Sequence, residues 1–212
     1  MATEIRFIVL EGVDGSGTTT QLDALATRLR ADGKSVVTTR EPTAGLVGAL
    51  LRKILEGKLD AGEVSKNFDW VTLALLFAAD RSHHVNSVIR PSLEQGQIVI
   101  CDRYDLSSRI YQSETAPNPH TALPWVCTLN DNVPRPDITF VLDVAAEVAE
   151  KRRAQRGGPP ELFEQTALQR RLVNAYAEAG RYVPNDRLVH VSGDQSIERV
   201  LELLYRACNG DP

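Results

Sequence analysis

Cysteine is scarce and scattered. The chain has three, Cys101, Cys127 and Cys208. No two sit at metal-site spacing, so they read as isolated thiols of a reducing compartment, not as a disulfide framework. Neither sign of charge dominates: 24 basic against 28 acidic side chains leave a net charge of −4. That balance argues against a generic nucleic-acid or membrane binder, so any anionic ligand must be met by a local basic cluster. No apolar run reaches membrane-spanning length, and residues 1–6 do not read as a signal peptide. No repeat, low-complexity tract or linker divides the 212 residues. The expectation is one cytoplasmic domain, with 42% hydrophobic and 25% charged residues as in ordinary globular chains.

One further absence says more. The run Glu11-Gly12-Val13-Asp14-Gly15-Ser16-Gly17-Thr18-Thr19-Thr20-Gln21 follows an apolar stretch, residues 7–10. It leads into a helical pattern with Leu22, Leu25, Ala26 and Leu29 on one side. Strand, glycine-rich turn and helix together are the setting of a phosphate-binding loop. The pattern G-x-x-x-x-G-K-[ST] is met by Gly12, Gly17 and Thr19, but Thr18 stands where the lysine belongs. Gly15 and Gly17 permit a tight turn that brings backbone N–H groups to an anion. The helix aims its unpaired N–H groups at the same place, and the Thr19 hydroxyl is placed to ligate Mg²⁺. The sequence specifies a nucleotide phosphate site and omits that site's main cation.

Further along, residues 35–39 form a β-branched strand run ending at Arg40-Glu41-Pro42. Pro42 keeps Glu41 out of helical geometry, which leaves Arg40 at a strand exit, where ligands bind in open α/β sheets. Residues 45–55 read as a helix and 57–62 as a turn. Residues 69–89 read as a long helix, apolar over 70–79 and therefore buried on most sides, with 91–96 closing it. Phe77, Arg81 and His84 share one face at i, i+4 and i+7. A ring beside a guanidinium suits stacking and hydrogen bonding of a base, although a core phenylalanine with an amphipathic edge has the same spacing.

Residues 97–101 form a buried strand run ending in Asp102-Arg103-Tyr104. An acid closing an apolar strand can hold Mg²⁺ directly or through water, and Arg103 beside it would meet a phosphate. Ser107, Ser108, Tyr111 and Gln112 offer hydroxyl and amide groups suited to a base edge or a sugar. Residues 118–130, punctuated by proline, read as a loop with a short helix, and 137–143 as a strand. Residues 145–155 read as a helix, its end carrying Lys151, Arg152, Arg153 and Arg156. The next four residues, 157–160, are Gly-Gly-Pro-Pro and read as a hinge. A basic cluster beside such a hinge suits a mobile lid over phosphates, or simply a solvated helix end. Residues 161–179 read as a helix and 187–191 as the last strand. The terminal helix has Ile197, Val200, Leu201 and Leu204 on one face. Five strand runs alternating with helices predict a doubly wound α/β fold with its site at the strand C-termini.

In this order, and over nearly the whole chain, the motifs resemble the thymidylate (dTMP) kinase family of P-loop nucleoside monophosphate kinases. The residues that carry the resemblance are the Glu11–Gly17 loop, Arg40-Glu41-Pro42-Thr43, Phe77-Ala78-Ala79-Asp80-Arg81 with His84, Asp102-Arg103-Tyr104, Ser107-Ser108 with Tyr111-Gln112, Leu142-Asp143-Val144, and Arg152, Arg153 and Arg156. The resemblance implies a five-stranded parallel sheet in a single P-loop kinase domain with a lid near residues 152–162. It implies Mg²⁺-dependent phosphoryl transfer from ATP to dTMP. Gly12, Val13, Asp14, Gly15, Ser16, Gly17, Thr18, Thr19 and Thr20 would then hold the ATP phosphates, with Thr19 and Asp102 serving Mg²⁺. Arg40 and Arg103 would bind the acceptor phosphate, and Asp14 would lie near the sugar and the transfer zone. Phe77 would stack on thymine, Arg81 would hydrogen-bond its carbonyl edge, and Ser108, Tyr111 and Gln112 would complete the pocket. The catalytic set would be Asp14, Arg103 and the lid arginines Arg152, Arg153 and Arg156.

One subgroup of the family lacks a basic residue before the serine of the loop, as at Gly15 here, and carries its arginines in the lid. The family is typically homodimeric through the long apolar helix, here residues 70–79. Its partners are small nucleotides, with no nucleic acid or membrane partner. The departure is Thr18, a lysine in the family. Two other readings follow: a kinase for another (deoxy)nucleoside monophosphate, or a nucleotide-binding protein disabled at Thr18. Arg40, Asp102, Arg103 and the lid arginines favour the enzyme, since a dead site has no physical need for them all.

Overall fold

A computed structural model describes residues 5–59, 68–157 and 161–210. The buried apolar runs become the sheet. Strand β1, Phe7–Glu11, lies at its centre with all five residues buried. On one side stand β3, Ile98–Asp102, and then β2, Val36–Arg40. On the other side stand β4, Ile138–Asp143, and β5, Leu188–Ser192. Every pairing is parallel, and Leu10 lies opposite both Asp102 and Phe140. Parallel strands must be covered on both faces, which is why β1 and β3 read as unbroken apolar runs and not as alternating ones.

The two faces take alternate residues. Ile8 and Leu10 pack with Leu22, Leu25 and Leu29 of α1, Thr18–Ala31, and with Val200 and Leu204 of α9, Ile197–Cys208. Phe7 and Val9 pack on the other face with Val85 and Ile89. The connection after β1 runs through α1 to β2 on one side of it, whereas the connection after β3 runs to β4 on the other side, and this reversal opens a crevice at the strand C-termini between β1 and β3. Glu11, Arg40 and Asp102 end their strands at that edge.

The remaining helices are α2, Leu46–Leu55; α3, Trp70–His84; α4, Arg90–Glu94; α5, Asp105–Thr115; α6, Pro119–Asn130; α7, Ala146–Arg156; and α8, Thr166–Ala177. Four differ from the sequence reading. The apolar stretch 70–79 is buried on one side only: Thr72 and Ala79 are exposed and Leu75 is 49% exposed. Proline does not close this helix. A π turn, Val85–Ile89, widens the backbone just before Pro91, and α4 carries on to Glu94.

Residues 118–130 form a full helix. Asn118 accepts from the Thr121 N–H as its cap, Pro119 occupies a first-turn position that needs no donor, and Pro124 is tolerated inside. The helix expected over 161–179 starts only at Thr166, and a 3₁₀ turn, Ala179–Arg181, follows it. The ends of the expected turn at 57–62 and of the hinge at 157–160 lie outside the described residues, as does the Arg156 side chain. Among the described residues no helix is long and apolar enough to cross a membrane.

Candidate active site

The loop after β1 is shaped by its glycines. Gly15 and Gly17 hold φ of 91° and 100°, a region that side-chain-bearing residues avoid. At Gly15 a Cβ would also stand 2.6 Å from the Ala149 carbonyl, so only glycine lets α7 lie this close to the loop. Gly17 caps α1 without any side-chain bond, which leaves the helix N-terminus free for an anion. Thr18 is buried at 7% exposure, whereas Thr19 and Thr20 are exposed.

Two clefts flank the loop. The first has a volume of about 200 Å³. It brings together Asp14, Arg40, Phe77, Arg81, Arg103, Ser108, Tyr111 and Gln112, the whole expected acceptor set, with Asp102 beside them. Arg103 sits at φ 67°, rare for a residue with a side chain, and its guanidinium is held at both ends. Nη2 donates to Asp14 Oδ1 at 2.7 Å, and Nη1 meets the Ser107 and Tyr176 hydroxyls at 3.1 and 3.3 Å. Arg81 is 1% exposed, and its Nη groups are already engaged by Glu41, Ser108, the Tyr104 carbonyl and Asn130. Only its Nε lacks a partner among the described residues. Gln112 Oε1 likewise lacks one. His84 does not line the cleft. It is buried, bonded to Thr39 at 2.6 Å and to Glu41 at 2.9 Å, and so supports the carboxylate that holds Arg81.

The second cleft, about 280 Å³, is lined by Ser16, Gly17, Thr20, Gln21, Arg152 and Gly193, among others. Arg152 Nη2 donates to the Gly193 carbonyl at 2.9 Å, and Nη1 approaches the carbonyls of Gly15 and Ser16 at 3.4 Å. Arg153 is more enclosed: Nη1 donates to the Asp14 carbonyl at 2.6 Å and to Gln169 Oε1 at 3.1 Å. The two arginines thus already lie on the loop. At its outer edge Thr19 Oγ1 donates to Asp102 Oδ2 at 2.5 Å, and Asp102 Oδ1 has no partner among the described residues. A hydroxyl beside a carboxylate with a spare oxygen is a donor set that fits Mg²⁺.

Several residues of the site carried no role in the sequence reading. Arg52 lines the first cleft from α2 and donates to the carbonyls of Pro42 and Thr43. Phe163 lines it too, edge-on to Tyr111 at 5.4 Å. Glu11 was a member of the loop run only. It is fully buried and accepts from the Tyr104 and Ser107 N–H groups at 2.8 and 3.2 Å and from the Ser107 and Tyr176 hydroxyls at 2.6 and 3.1 Å. Its signal was available: like Asp102, it is an acid closing an apolar strand.

Burial pushes the Glu11 carboxyl from 4.5 up to about 7, against the lowering effect of its hydrogen bonds and of Arg103. A raised folded pKa means that the folded state binds the extra proton between those values, so stability falls as pH rises from 4.5 through 7. Glu11→Gln removes this loss. Its stability relative to wild type should rise by about 3 kcal/mol between pH 4.5 and 8. Urea unfolding at the two pH values checks this, and a pH-independent difference would contradict it.

A glycine loop at the exit of a central parallel strand, an acid from the neighbouring strand on Thr19 of the following helix, and a cleft beside them define a P-loop protein of the nucleoside monophosphate kinase class. Residues 10–204 match the family model for thymidylate kinase. The chain is 39% identical, over 87% of either sequence, to a probable thymidylate kinase of Pyrococcus horikoshii. It is 36% identical to a thymidylate kinase of Nitrobacter winogradskyi over 95% of this chain and 87% of that one. To a thymidylate kinase of Caldicellulosiruptor saccharolyticus it is 35% identical over 93% and 92%. The chain belongs to the thymidylate kinase family.

Proposed function

We propose that the protein transfers the γ-phosphoryl group of ATP to the 5′-phosphate of dTMP, giving ADP and dTDP, as a cytoplasmic homodimer. The observation that carries this reading is a single cleft that joins an aromatic platform, Phe77, to the guanidinium groups of Arg40 and Arg103 beside a phosphate-binding loop. An acceptor phosphate is already largely ionised at neutral pH, so the reaction asks for position and charge neutralisation and not for a general base. The bond from the γ-phosphorus to the bridging oxygen breaks as one to a dTMP phosphate oxygen forms, and no proton need move.

In this reading Arg40 and Arg103 receive the acceptor phosphate, and Asp14 holds the Arg103 fork toward the loop. Phe77 offers its ring to the base, Arg81 and Gln112 present polar groups to the base edge, and Ser108 and Tyr111 close the pocket around it. The loop from Gly12 to Thr20 and the α1 N-terminus cradle the donor phosphates, with Arg152 above them as the lid cation. Thr19 and Asp102 would hold Mg²⁺, which neutralises charge on the donor phosphates when bound. Arg153, held by Asp14 and Gln169, supports the loop. The homodimer is supported by the stripe Thr72, Leu75 and Ala79, which lies exposed on one face of α3.

A coupled ATP-consumption assay across dTMP, dUMP, dCMP, dGMP and AMP tests the reading. The expected result is highest kcat/KM for dTMP with dUMP a weaker substrate, since one methyl in an apolar pocket is worth about 1–3 kcal/mol. Absence of turnover with every monophosphate would make the chain a nucleotide-binding protein instead. Phe77→Ala should weaken dTMP binding by about 1–3 kcal/mol through loss of the stacking plane. Unchanged dTMP affinity of that variant in calorimetry would remove Phe77 from the pocket.

A further inference from the structure

Glu11 has no part in the reaction as written, yet it is buried at 0% exposure on the last residue of the central strand, one position before the loop. A buried carboxylate is expensive unless its oxygens are fully used. Here they are: two backbone N–H groups and two hydroxyls point at it. The N–H groups, from Tyr104 and Ser107, open α5, which has no side-chain cap of its own. Glu11 therefore caps α5 from another element.

The two hydroxyls are the informative partners. Ser107 Oγ and Tyr176 Oη are the same atoms that accept from Arg103 Nη1 at 3.1 and 3.3 Å. A hydroxyl has one proton and two lone pairs. Ser107 Oγ and Tyr176 Oη also lie 2.8 Å apart, so the two hydroxyls and Glu11 Oε2 form one cluster. An ionised Glu11 accepts only, which draws the protons of that cluster to its own side and leaves oxygen lone pairs for the guanidinium. A group that donates at this place would take those lone pairs and turn the protons toward Arg103.

We propose that Glu11 is a positioning residue for phosphoryl transfer: acting through the Ser107 and Tyr176 hydroxyls, it orients the Arg103 guanidinium. The proposal rests on the dTMP kinase reading above. The backbone of Arg103, at φ 67°, shows why such support is needed, because a strained residue keeps its place only when its surroundings over-determine it. Asp14 holds one end of the fork and the Glu11 relay holds the other.

The charged and titratable groups facing Glu11 are Arg103 from the turn after β3, Cys101 of β3, Tyr111 of α5 and Tyr176 of α8, with Asp14 beyond Arg103. Burial pushes Cys101, Tyr111 and Tyr176 upward, so all three stay protonated donors at neutral pH. Glu11 is the member of this set placed to change charge near neutrality.

Glu11→Gln is the test, because the amide keeps the shape and reverses the polarity of one arm. Steady-state kinetics with dTMP and ATP on the full chain should show kcat lowered by about tenfold or more, with KM for dTMP within about threefold. The wild-type kcat profile should carry an ionisation near neutrality that Glu11→Gln lacks, over and above the substrate phosphate's own titration. Tyr176→Phe should lower kcat as well, and the double variant should lose less than the product of the two single losses. Wild-type kcat and pH profile in Glu11→Gln, a loss confined to KM, or multiplicative losses in the double variant would each overturn the proposal. If Glu11→Gln does not fold, Tyr176→Phe and Ser107→Ala decide: lowered kcat in both supports the relay, and wild-type kcat in both overturns it. A wild-type protein inert with dTMP would instead overturn the function reading, and the relay with it.

Discussion

Replacing Arg103 with alanine is expected to lower kcat for dTMP by about a hundred- to a thousandfold, the effect typical of deleting one preorganised donor to a transferring group. Three features make this the most sensitive position of the acceptor side. The guanidinium bridges the loop and the acceptor cleft through Asp14 at 2.7 Å. It is fixed before any ligand arrives by Ser107 and Tyr176, and it lies over the Tyr111 ring at 5.4 Å. Burial opposes its charge, yet its pKa is held well above the ordinary value with the Asp14 carboxylate 2.7 Å away, so the cation is permanent.

Arg103→Lys separates charge from shape. An ammonium can meet a phosphate as a point charge, but it cannot bridge Asp14 and the two hydroxyls with a planar fork. The lysine variant should fall between wild type and Arg103→Ala, losing at least about tenfold. Activity of Arg103→Ala within tenfold of wild type would remove Arg103 from the transfer zone.

What the sequence makes legible follows from how local the physics is. The sheet centre is readable because β1 and β3 are buried on both faces, so their apolar runs are unbroken. Asp102 is readable because it ends such a run, and Arg40 because it closes a β-branched run that Pro42 keeps from continuing as helix. The helix over Pro119–Asn130 is not, since proline marks a break in most places and is neutral only at a first-turn position that a sequence does not announce. The exposed stripe of α3 is hidden for a similar reason: an all-apolar segment looks buried whether its cover comes from its own chain or from another.

In the site, the Phe77, Arg81 and His84 face was correctly spaced, and yet only two of the three line the cleft. The difference lies in Glu41, which follows β2 and lies 43 positions before His84, and which both His84 and Arg81 of α3 address. The Glu11 relay is of the same kind, because Tyr176 lies 165 positions from Glu11. Contacts of that span leave no periodic trace.

The largest effect on the donor side is expected at Arg152, and it follows from the lysine that is missing. Backbone N–H groups and a free helix N-terminus hold phosphates without a side-chain cation, so Thr18 need not abolish binding. What it removes is one mobile positive charge, whose bond to phosphate is worth about 1.5–3 kcal/mol. Arg152 lines the second cleft beside Ser16, Gly17 and Thr20, and its guanidinium is anchored by the Gly193 carbonyl at 2.9 Å. Its other nitrogen makes only long contacts of 3.4 Å with the loop, so it is easily drawn to a phosphate.

Arg153 differs, because at 9% exposure its Nη1 is held by the Asp14 carbonyl and Gln169. Arg152→Ala should therefore lower kcat by about a hundredfold, with a smaller change in KM for ATP. Thr18→Lys should restore at least about tenfold in that background, since one charge-assisted bond converts to roughly that factor. In the wild-type background the same lysine should change kcat little, because the charge it brings is already supplied. Purified wild type, both single variants and the double variant, assayed side by side with dTMP, ATP and Mg²⁺, decide the matter. An Arg152→Ala variant as fast as wild type, or a Thr18→Lys variant that speeds the wild-type background as much as the alanine background, would show that Arg152 does not stand in for the missing lysine.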